Sequence, residues 1–215
     1  QTKSGLYIEL KAAEAAEPTW RILQKQDFRF AVIGSFHADW IAKLRQSKCS
    51  YPLSVLVPIG VDPFDYSSVA QPDIIHLCWK RASVAPHQLV TSEIVERCHQ
   101  QGIALVTWDE KRLEVLRGLA HLPILGICSD CPEILKPWLT GGDGLPQVVC
   151  HRGANFVAPE NTLIAACICI SQGFDFVEID VRTTADGEIV LMHDATVDRT
   201  TNGKGLVRDL TLEQI

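Results

Sequence analysis

The sequence has no long apolar run and no excess of basic residues. No apolar stretch approaches the ~20 residues of a membrane-spanning helix, and no signal peptide is visible. The formal net charge is −6 at pH 7, whereas binding to a nucleic-acid backbone requires a basic face. We therefore expect neither stable membrane insertion nor a nucleic-acid partner. The first residue is glutamine rather than methionine, as in a fragment or a processed chain.

The cysteines do not follow the pattern of a secreted or a zinc-binding protein. Cys128 and Cys131 form one C-x-x-C pair, but no second such pair and no neighbouring Cys/His pair completes a zinc site. The eight cysteines mostly lie in apolar segments, at Cys49, Cys78, Cys98, Cys128, Cys131, Cys150, Cys167 and Cys169. Because reduced, buried thiols are typical of cytosolic proteins, we predict a cytoplasmic location.

Short apolar runs alternate with amphipathic segments along the chain, which indicates strands alternating with helices. The predicted strands are residues 5–11, 30–36, 53–59, 73–80, 103–109, 124–132, 147–150 and 176–182. The predicted helices are residues 12–26, 39–47, 91–101, 113–119, 133–139 and 163–172. With 215 residues, 47% of them apolar, the chain can bury the core of one soluble domain.

Residues 150–194 concentrate side chains with catalytic chemistry. In a strand, residues i and i+2 point the same way, so Glu178 and Asp180 place two carboxylates on one face. Two carboxylates so close repel each other unless a cation lies between them, and oxygen ligands suit Mg²⁺ or Ca²⁺. His151 and His193 add two groups that titrate near neutral pH. Each alone is more often a capping or paired side chain, but the whole set predicts an active site.

The order of motifs in this stretch resembles the glycerophosphodiester phosphodiesterase family. It reads H-R-G from His151, A-P-E-N-T from Ala158, E-I-D-V from Glu178, D-G from Asp186 and H-D from His193. D-R-T-T-N-G, after the second histidine, continues the pattern. The resemblance implies an α/β fold, a distorted TIM-type (β/α)8 barrel with a metal ion at the carboxyl ends of its strands. At 215 residues the chain is short for such a barrel of ~250 residues.

Other segments extend the resemblance. I-E-L-K at residues 8–11 resembles the family strand that carries a third metal carboxylate, so the resemblance makes Glu9 a metal ligand and directs Lys11 toward the phosphate. Trp108, at the end of a predicted strand, would line the pocket beside the alcohol part of the substrate, although core packing explains it almost equally well. His76 lies in an apolar run and is more simply a packed, hydrogen-bonded residue than a ligand.

The motifs occur in an unexpected order for this family. Residues 1–140 resemble the family's last six barrel strands, residues 141–146 form a linker, and residues 147–215 resemble the first two strands; together they form one domain. A hairpin turn at Asp186-Gly187 lies outside this count. A circularly permuted barrel, a piece of a tandem of two such domains, and a missing stretch all fit, and no internal repeat separates them. The chain would be a monomer that closes its own barrel, or a swapped homodimer in which Glu9 comes from the neighbouring chain.

The resemblance implies metal-assisted hydrolysis of a small-molecule phosphodiester to glycerol 3-phosphate and an alcohol. A divalent ion on the three carboxylates would bind phosphodiester oxygens, while Arg152 and Lys11 balance the developing negative charge. Of His151 and His193, one would act as base on the nucleophile and the other as acid on the leaving alkoxide. The nucleophile is water or the neighbouring glycerol hydroxyl.

Two alternatives remain open from the sequence. One is a related phospholipase-type phosphodiesterase that acts on a lipid or inositol head group. The other is a non-catalytic, anion-binding barrel from a tandem protein. The intact set of histidines, arginine and carboxylates counts against the second alternative.

Overall fold

Eight parallel strands close into a barrel in the computed structural model, which describes residues 4–108, 110–139 and 144–215. The strands are β1 (Gly5–Leu10), β2 (Ala31–Ser35), β3 (Leu53–Val57), β4 (Ile74–Leu77), β5 (Ala104–Thr107), β6 (Gly126–Ser129), β7 (Gln147–Cys150) and β8 (Phe176–Thr183). Each pairs with the next, and β1 also pairs with β8, from Gly5↔Phe176 to Leu10↔Val181, which closes the sheet. The predicted TIM-type (β/α)8 barrel is confirmed.

Helices connect the barrel strands on the outside. They are α1 (Ala16–Lys25), α2 (Ala38–Gln46), α3 (Pro63–Ser67), α4 (Ser92–Gln100), α5 (Leu113–Ala120), α6 (Pro132–Leu139) and α7 (Leu163–Ser171). Local capping explains several starts. Asp62 accepts hydrogen bonds from the first backbone N–H groups of α3, and Thr162 accepts one from Ala165 at the start of α7. The short helix α3 lies between the predicted strands 53–59 and 73–80, where no helix was predicted.

The connection after β8 differs from the seven helical ones. β8 turns back into β9 (Ile189–Leu191), which pairs antiparallel with it, as the Asp186-Gly187 motif predicted. Gly187 has φ +84°, a conformation in which glycine is favoured. The hairpin brings the following residues to the carboxyl end of the barrel, where loops of such folds form their sites.

The core has two layers. Inside the barrel pack Tyr7, Val32, Ile74, Val106, Cys128 and Val149. A larger apolar layer lies between the strands and the helices. His76 also points inside, with Nδ1 3.0 Å from the Tyr7 hydroxyl, which donates to Ser54 Oγ at 2.6 Å. Burial lowers the pKa of His76 to about 3, so the imidazole is neutral and packed, as expected.

A few predicted features fall on residues that the structure does not describe. These are residue 109, at the end of the predicted strand 103–109, and residues 141–143 of the predicted linker 141–146. Residues 1–3 and 140, the ends of the predicted segment 1–140, are also outside the described ranges. Among the helices that are described, none is both long and apolar enough to cross a bilayer.

Candidate active site

Three buried carboxylates meet at the carboxyl end of two neighbouring strands. Glu9 on β1 is in register with Asp180 on β8, and Glu178 points inward from the same strand. One carboxylate oxygen from each residue lies within 4.8 Å of the others. Glu9 and Glu178 are 3% exposed and Asp180 is 0% exposed. Because β1 and β8 belong to the same chain, a single chain assembles all three carboxylates.

The cluster has the properties of a cation site. Glu178 Oε1 and Asp180 Oδ1 are buried and accept no hydrogen bond from the residues described. Burial, and then repulsion by Asp180 and Glu9, raises the pKa of Glu178 well above its ordinary value. The pKa of Glu9 is raised as well, mainly by burial. Buried carboxylate oxygens that accept no hydrogen bond are what a hard divalent ion binds, so these residues fit Mg²⁺ or Ca²⁺.

Lys11 lies directly against the cluster. Its Nζ donates to Glu9 Oε1 at 2.5 Å and lies 3.2 Å from Asp180 Oδ1, the latter without hydrogen-bonding geometry. Burial by itself lowers the pKa of Lys11, but attraction by the Glu9 and Asp180 carboxylates outweighs it, and the pKa is raised. The ammonium group is therefore charged beside the carboxylates.

Arg152 approaches the cluster from the loop after β7. Its backbone N–H donates to Glu178 Oε2 at 2.8 Å, and its Nε lies 3.5 Å from Asp180 Oδ2. Both Arg152 and Gly153 have positive φ, +57° and +81°. A Cβ on Gly153 would lie 2.8 Å from the Ala165 Cβ of α7. The glycine thus allows the tight turn that aims Arg152 at the site.

Asn161 is a site residue to which the sequence analysis gave no role. Its Nδ2 donates to Asp180 Oδ2 at 2.8 Å, and its Oδ1 accepts the Asp180 backbone N–H at 3.0 Å. Asn161 is buried and has φ +54°. It fixes the orientation of the Asp180 carboxylate. Its place inside the P-E-N-T motif was the only signal in the sequence that could have found it.

His151 is held at the end of β7 by a carboxylate. Its Nδ1 lies 2.7 Å from Asp130 Oδ1, and Asn155 Nδ2 donates to the same oxygen at 2.7 Å. The contact with Asp130 fixes the orientation of the imidazole ring. His151 is close enough to Glu9 for its charge to affect that carboxyl. The sequence analysis gave Asp130 no role, because no local pattern marks it as the partner of His151.

His193 reaches the site through the hairpin. Its Nδ1 lies 2.8 Å from Asp194 Oδ1. Arg182 fixes its backbone, because Nε and Nη2 donate to the His193 carbonyl at 3.1 and 2.8 Å, and Nη1 donates to the Lys11 carbonyl at 3.0 Å. Burial lowers the pKa of His193, and the hydrogen bond with Asp194 opposes that effect. The charges of Lys11 and Asp180 also act on this imidazole.

An aromatic wall faces His151. Trp108 meets the His151 ring edge-on at 5.3 Å between ring centroids and the Phe36 ring at 6.0 Å. Lys80 Nζ lies 5.7 Å from the Trp108 ring centroid. Trp108 is partly exposed and also packs against the inner core, so it both contributes to the core and faces the opening of the barrel.

The structure brings the predicted site residues to one end of the barrel. They are the carboxylates Glu9, Glu178 and Asp180, the cations Lys11 and Arg152, the histidines His151 and His193, and Trp108. By contrast, Cys128 is buried inside the barrel and Cys131 is partly buried. The cation cluster found among the described residues consists of the three carboxylates and includes neither cysteine.

Comparison with known proteins agrees with this geometry in the last third of the chain. Residues 151–215 match the model of the glycerophosphoryl diester phosphodiesterase family. This segment is similar to that family. It contains His151, Arg152, Glu178, Asp180 and His193.

Curated relatives match the same part of the chain. The glycerophosphodiester phosphodiesterase of Caldanaerobacter subterraneus is 52% identical over 68 residues, which are 32% of this chain and 28% of that protein. Human glycerophosphodiester phosphodiesterase 1 is 54% identical over 69 residues, 32% of this chain and 21% of that protein. The matched segment thus spans less than a third of the length of these relatives.

Solved structures agree on the architecture over more of the chain. The YdjI aldolase from Escherichia coli K12 superposes with a TM-score of 0.60 at 11% identity, covering 83% of this chain and 76% of that one. At such low identity the superposition establishes the barrel fold alone.

Proposed function

We propose that this chain hydrolyses glycerophosphodiesters to glycerol 3-phosphate and an alcohol, with a divalent cation, Mg²⁺ or Ca²⁺, as cofactor. The observation that carries the proposal is the buried cluster of Glu9, Glu178 and Asp180 beside two carboxylate-bound histidines. The family match of residues 151–215 supports the same reaction class. A bound divalent ion would supply charge stabilisation to the phosphoryl oxygens.

Arg152 and Lys11 are the groups we propose for holding the phosphate. Both are cations with little exposure, 15% and 12% of the side chain. Both lie beside the carboxylates that would hold the divalent ion. At such a buried position, a fixed cation stabilises the negative charge that develops on phosphoryl oxygens. Arg152 presents a planar fork of donors suited to phosphate, whereas Lys11 acts as a point charge.

His151 and His193 are the proposed acid and base. Each has Nδ1 engaged by a carboxylate, Asp130 or Asp194, at 2.7 and 2.8 Å. This contact fixes the orientation of each ring. One histidine removes a proton from the nucleophile, and the other gives a proton to the leaving alkoxide.

Trp108 is the proposed contact for the alcohol group. Its edge-on position against His151 puts it next to the ring that would handle a proton of the reacting groups. Its partial burial in the inner core predicts that truncation affects stability as well as the KM of the substrate. Replacement with phenylalanine, which keeps an aromatic face, is therefore the better probe of this contact.

The test is a substrate screen with and without chelator. Purified protein is incubated with glycerophosphocholine, glycerophosphoethanolamine, glycerophosphoinositol and a lysophospholipid, each with Mg²⁺, Ca²⁺ or EDTA, and released glycerol 3-phosphate is measured. Turnover that EDTA abolishes and a divalent ion restores supports the proposal. Turnover that leaves phosphate on the head group would favour a phospholipase-type reaction. Metal-independent binding without turnover would favour an anion-binding barrel.

We also propose that the protein works in the cytoplasm as a monomer. Burial of six of its cysteines, with a seventh partly buried, supports a reducing compartment. Closure of the barrel by β1 and β8 of one chain supports a monomer over a swapped homodimer. Sedimentation analysis over a range of concentrations tests the oligomeric state, and an obligate dimer would contradict the proposal.

A further inference from the structure

An ion-pair network spans the rim of the barrel between the two halves of the proposed site. Five side chains form it in series: Arg152, Glu160, Arg199, Asp194 and His193. Arg152 and Glu160 belong to the loop between β7 and α7, whereas the other three follow the β8–β9 hairpin. Side chains thus link two segments that are separate in sequence.

Arg199 lies at the centre of this network, between two carboxylates. On one side its Nη2 and Nη1 donate to Glu160 Oε1 and Oε2 at 2.7 and 3.1 Å. On the other side its Nε and Nη2 donate to Asp194 Oδ2 and Oδ1 at 2.6 and 3.1 Å. A guanidinium that meets two carboxylates in this two-pronged way fixes both of them in orientation as well as in distance.

Each carboxylate has a second partner in the proposed site. Glu160 Oε1 accepts a hydrogen bond from Arg152 Nη1 at 2.9 Å. Asp194 Oδ1 lies 2.8 Å from His193 Nδ1. The Arg199 hydrogen bonds hold the pKa of Glu160 and of Asp194 below the ordinary range, so both carboxylates stay ionised and able to hold these partners.

We propose that Arg199 and Glu160 are positioning residues that set His193 and Arg152 relative to each other for the proposed reaction. Arg199 orients His193 through Asp194, and Glu160 joins this arrangement to Arg152. The inference rests on the function proposed above for His193 and Arg152. Neither Arg199 nor Glu160 needs to touch the substrate. The side chain of Arg199 is 48% exposed, so its contribution lies in geometry rather than in core packing.

The first experiment compares the Arg199→Met and Arg199→Lys variants with the wild type. Methionine keeps the length and apolar stem of the side chain but makes none of the four hydrogen bonds. We expect kcat to fall roughly 10- to 100-fold while KM stays within about twofold, as when a residue that orients a catalytic group is removed. Lysine keeps the charge without the planar fork, so Arg199→Lys should recover only part of kcat. Arg29→Met, which changes an exposed arginine before β2, is the matched control and should keep wild-type kcat.

A second measurement does not depend on turnover. The titration of the His193 imidazole is followed by NMR in labelled protein, with assignment from the His193→Gln variant. In Arg199→Met, Asp194 loses the competing guanidinium and a nearby positive charge disappears, so both changes should move the His193 titration to higher pH. In Arg29→Met the titration should stay where it is in the wild type.

The outcomes separate this inference from the proposed reaction. If the wild type turns over no glycerophosphodiester, the proposed reaction is wrong. The NMR titration still tests whether Arg199 positions His193. If the wild type is active and Arg199→Met keeps its kcat, the inference is overturned. A fall in kcat without a change in the His193 titration also overturns it, because that pattern indicates general loosening of the loop.

Discussion

Glu178 illustrates how burial and neighbouring charge determine what one side chain can do. It is 3% exposed, lies near Asp180 and Glu9, and has one oxygen without a hydrogen-bond donor among the described residues. Burial, and then repulsion by Asp180 and Glu9, raises the pKa of Glu178 well above its ordinary value. A divalent ion held by the three carboxylates would neutralise their charge.

The first prediction concerns these carboxylates. Glu178→Gln and Asp180→Asn should each weaken divalent-ion affinity, on the order of 10- to 100-fold, because each removes one charged ligand. Activity should fall in parallel, while the fold stays intact because the amides are isosteric. Isothermal titration with Mg²⁺ and Ca²⁺, together with the glycerol 3-phosphate assay, measures both. Glu17→Gln, at an exposed position in α1, is the control. Full activity of the double variant in EDTA would exclude a role for the metal.

The second prediction concerns the histidines. His151→Ala and His193→Ala should each lower kcat by about 10²–10⁴-fold, since each removes a proton-transfer group. A plot of the wild-type rate against pH should be bell-shaped, and each variant should lose one limb of this curve. Stopped assays from pH 5 to pH 10 give the profiles. If either variant loses only substrate affinity, with kcat at saturation unchanged, that histidine contributes to binding instead.

The third prediction concerns His76 and stability. Burial lowers the pKa of His76 to about 3, whereas an unfolded histidine titrates near 6.5. The unfolded state therefore binds more protons than the folded state between these two pH values. The contribution of His76 to the free energy of unfolding is full above about pH 6.5 and falls as the pH drops toward 3. From pH 6.5 to pH 5 the loss should be about 2 kcal/mol.

Urea unfolding of the wild type and of His76→Gln at both pH values measures this loss. Glutamine can still contact Tyr7 but does not titrate, so the variant should lose less stability than the wild type over the same interval. An equal loss in the two proteins would show that other groups dominate the pH dependence.

At this scale the sequence predicted which residues meet at the candidate site better than it predicted which residues hold them in place. Glu178 and Asp180 could be paired because strand alternation places i and i+2 on one face. The partners Asp130, Asn161 and Arg182 could not be assigned, because each contact joins segments far apart in the chain. A side chain that only orients another has no local pattern of its own.

At the scale of elements, the loop between β7 and α7 does more than connect them. It holds Arg152 with φ +57° and Gly153 with φ +81°, and the Arg152 backbone N–H donates to Glu178. α7 packs so closely below that no Cβ fits at Gly153. The conformation of the loop therefore depends on the helix that follows it, and the site depends on the loop.

The fourth prediction compares two glycines with nearly equal φ. Gly187, in the β8–β9 turn, has φ +84° and open space around the position of a Cβ. Gly187→Ala should therefore lower the free energy of unfolding only by the penalty for a left-handed conformation, roughly 1–2 kcal/mol. Gly153→Ala adds a contact of 2.8 Å with Ala165. Gly153→Ala should therefore lower the free energy of unfolding more than Gly187→Ala does. It should also lower kcat, because it displaces Arg152.

Urea unfolding and the activity assay on both variants test this comparison. Gly187→Ala should keep its activity within about twofold, because the turn lies away from the reacting groups. Equal unfolding free energies and equal activities for the two variants would show that the packing against α7 is not what fixes the loop.

Elements were predicted well wherever periodicity was clear. Helix 39–47 is observed at Ala38–Gln46 and helix 91–101 at Ser92–Gln100. The long predicted helix 12–26 is less regular, since a 3₁₀ turn at Ala13–Ala15 precedes α1. The short helix α3 was missed, because five residues that begin with a proline carry too little periodicity to be distinguished from a loop.

At the scale of the whole molecule, closure of the barrel places the first strand beside the eighth. β1 begins at Gly5 and pairs with β8, which ends at Thr183. Glu9 therefore meets Glu178 and Asp180 although some 170 residues separate them. The sequence could indicate this only through the order of family motifs, since no local pattern states which strands are neighbours. We propose that residues 1–140 and 147–215 are one domain in permuted order.

The last prediction tests that order. A rearranged chain would start at Gln147, run to Ile215, continue through a Gly/Ser linker to Ser4, and end at Leu139. Because β1 and β8 are already neighbours, this chain can keep every strand pairing. It loses only the covalent connection between β6 and β7. Its β6–β7 pairing, now without a covalent link, still has four residue pairs in register, from Gly126↔Gln147 to Ser129↔Cys150.

We expect the rearranged chain to fold, to bind Mg²⁺ or Ca²⁺ with an affinity within about tenfold of the original, and to retain activity, because surface connections tolerate such changes while the carboxylates stay together. Circular dichroism, ion titration and the glycerol 3-phosphate assay measure these properties for two linker lengths, so that linker strain is not mistaken for a wrong topology. Folding with wild-type ion affinity at either length supports one domain in permuted order. Failure at both lengths, while the original order folds as a monomer, would mean that residues 140–146 do more than join two parts of one barrel.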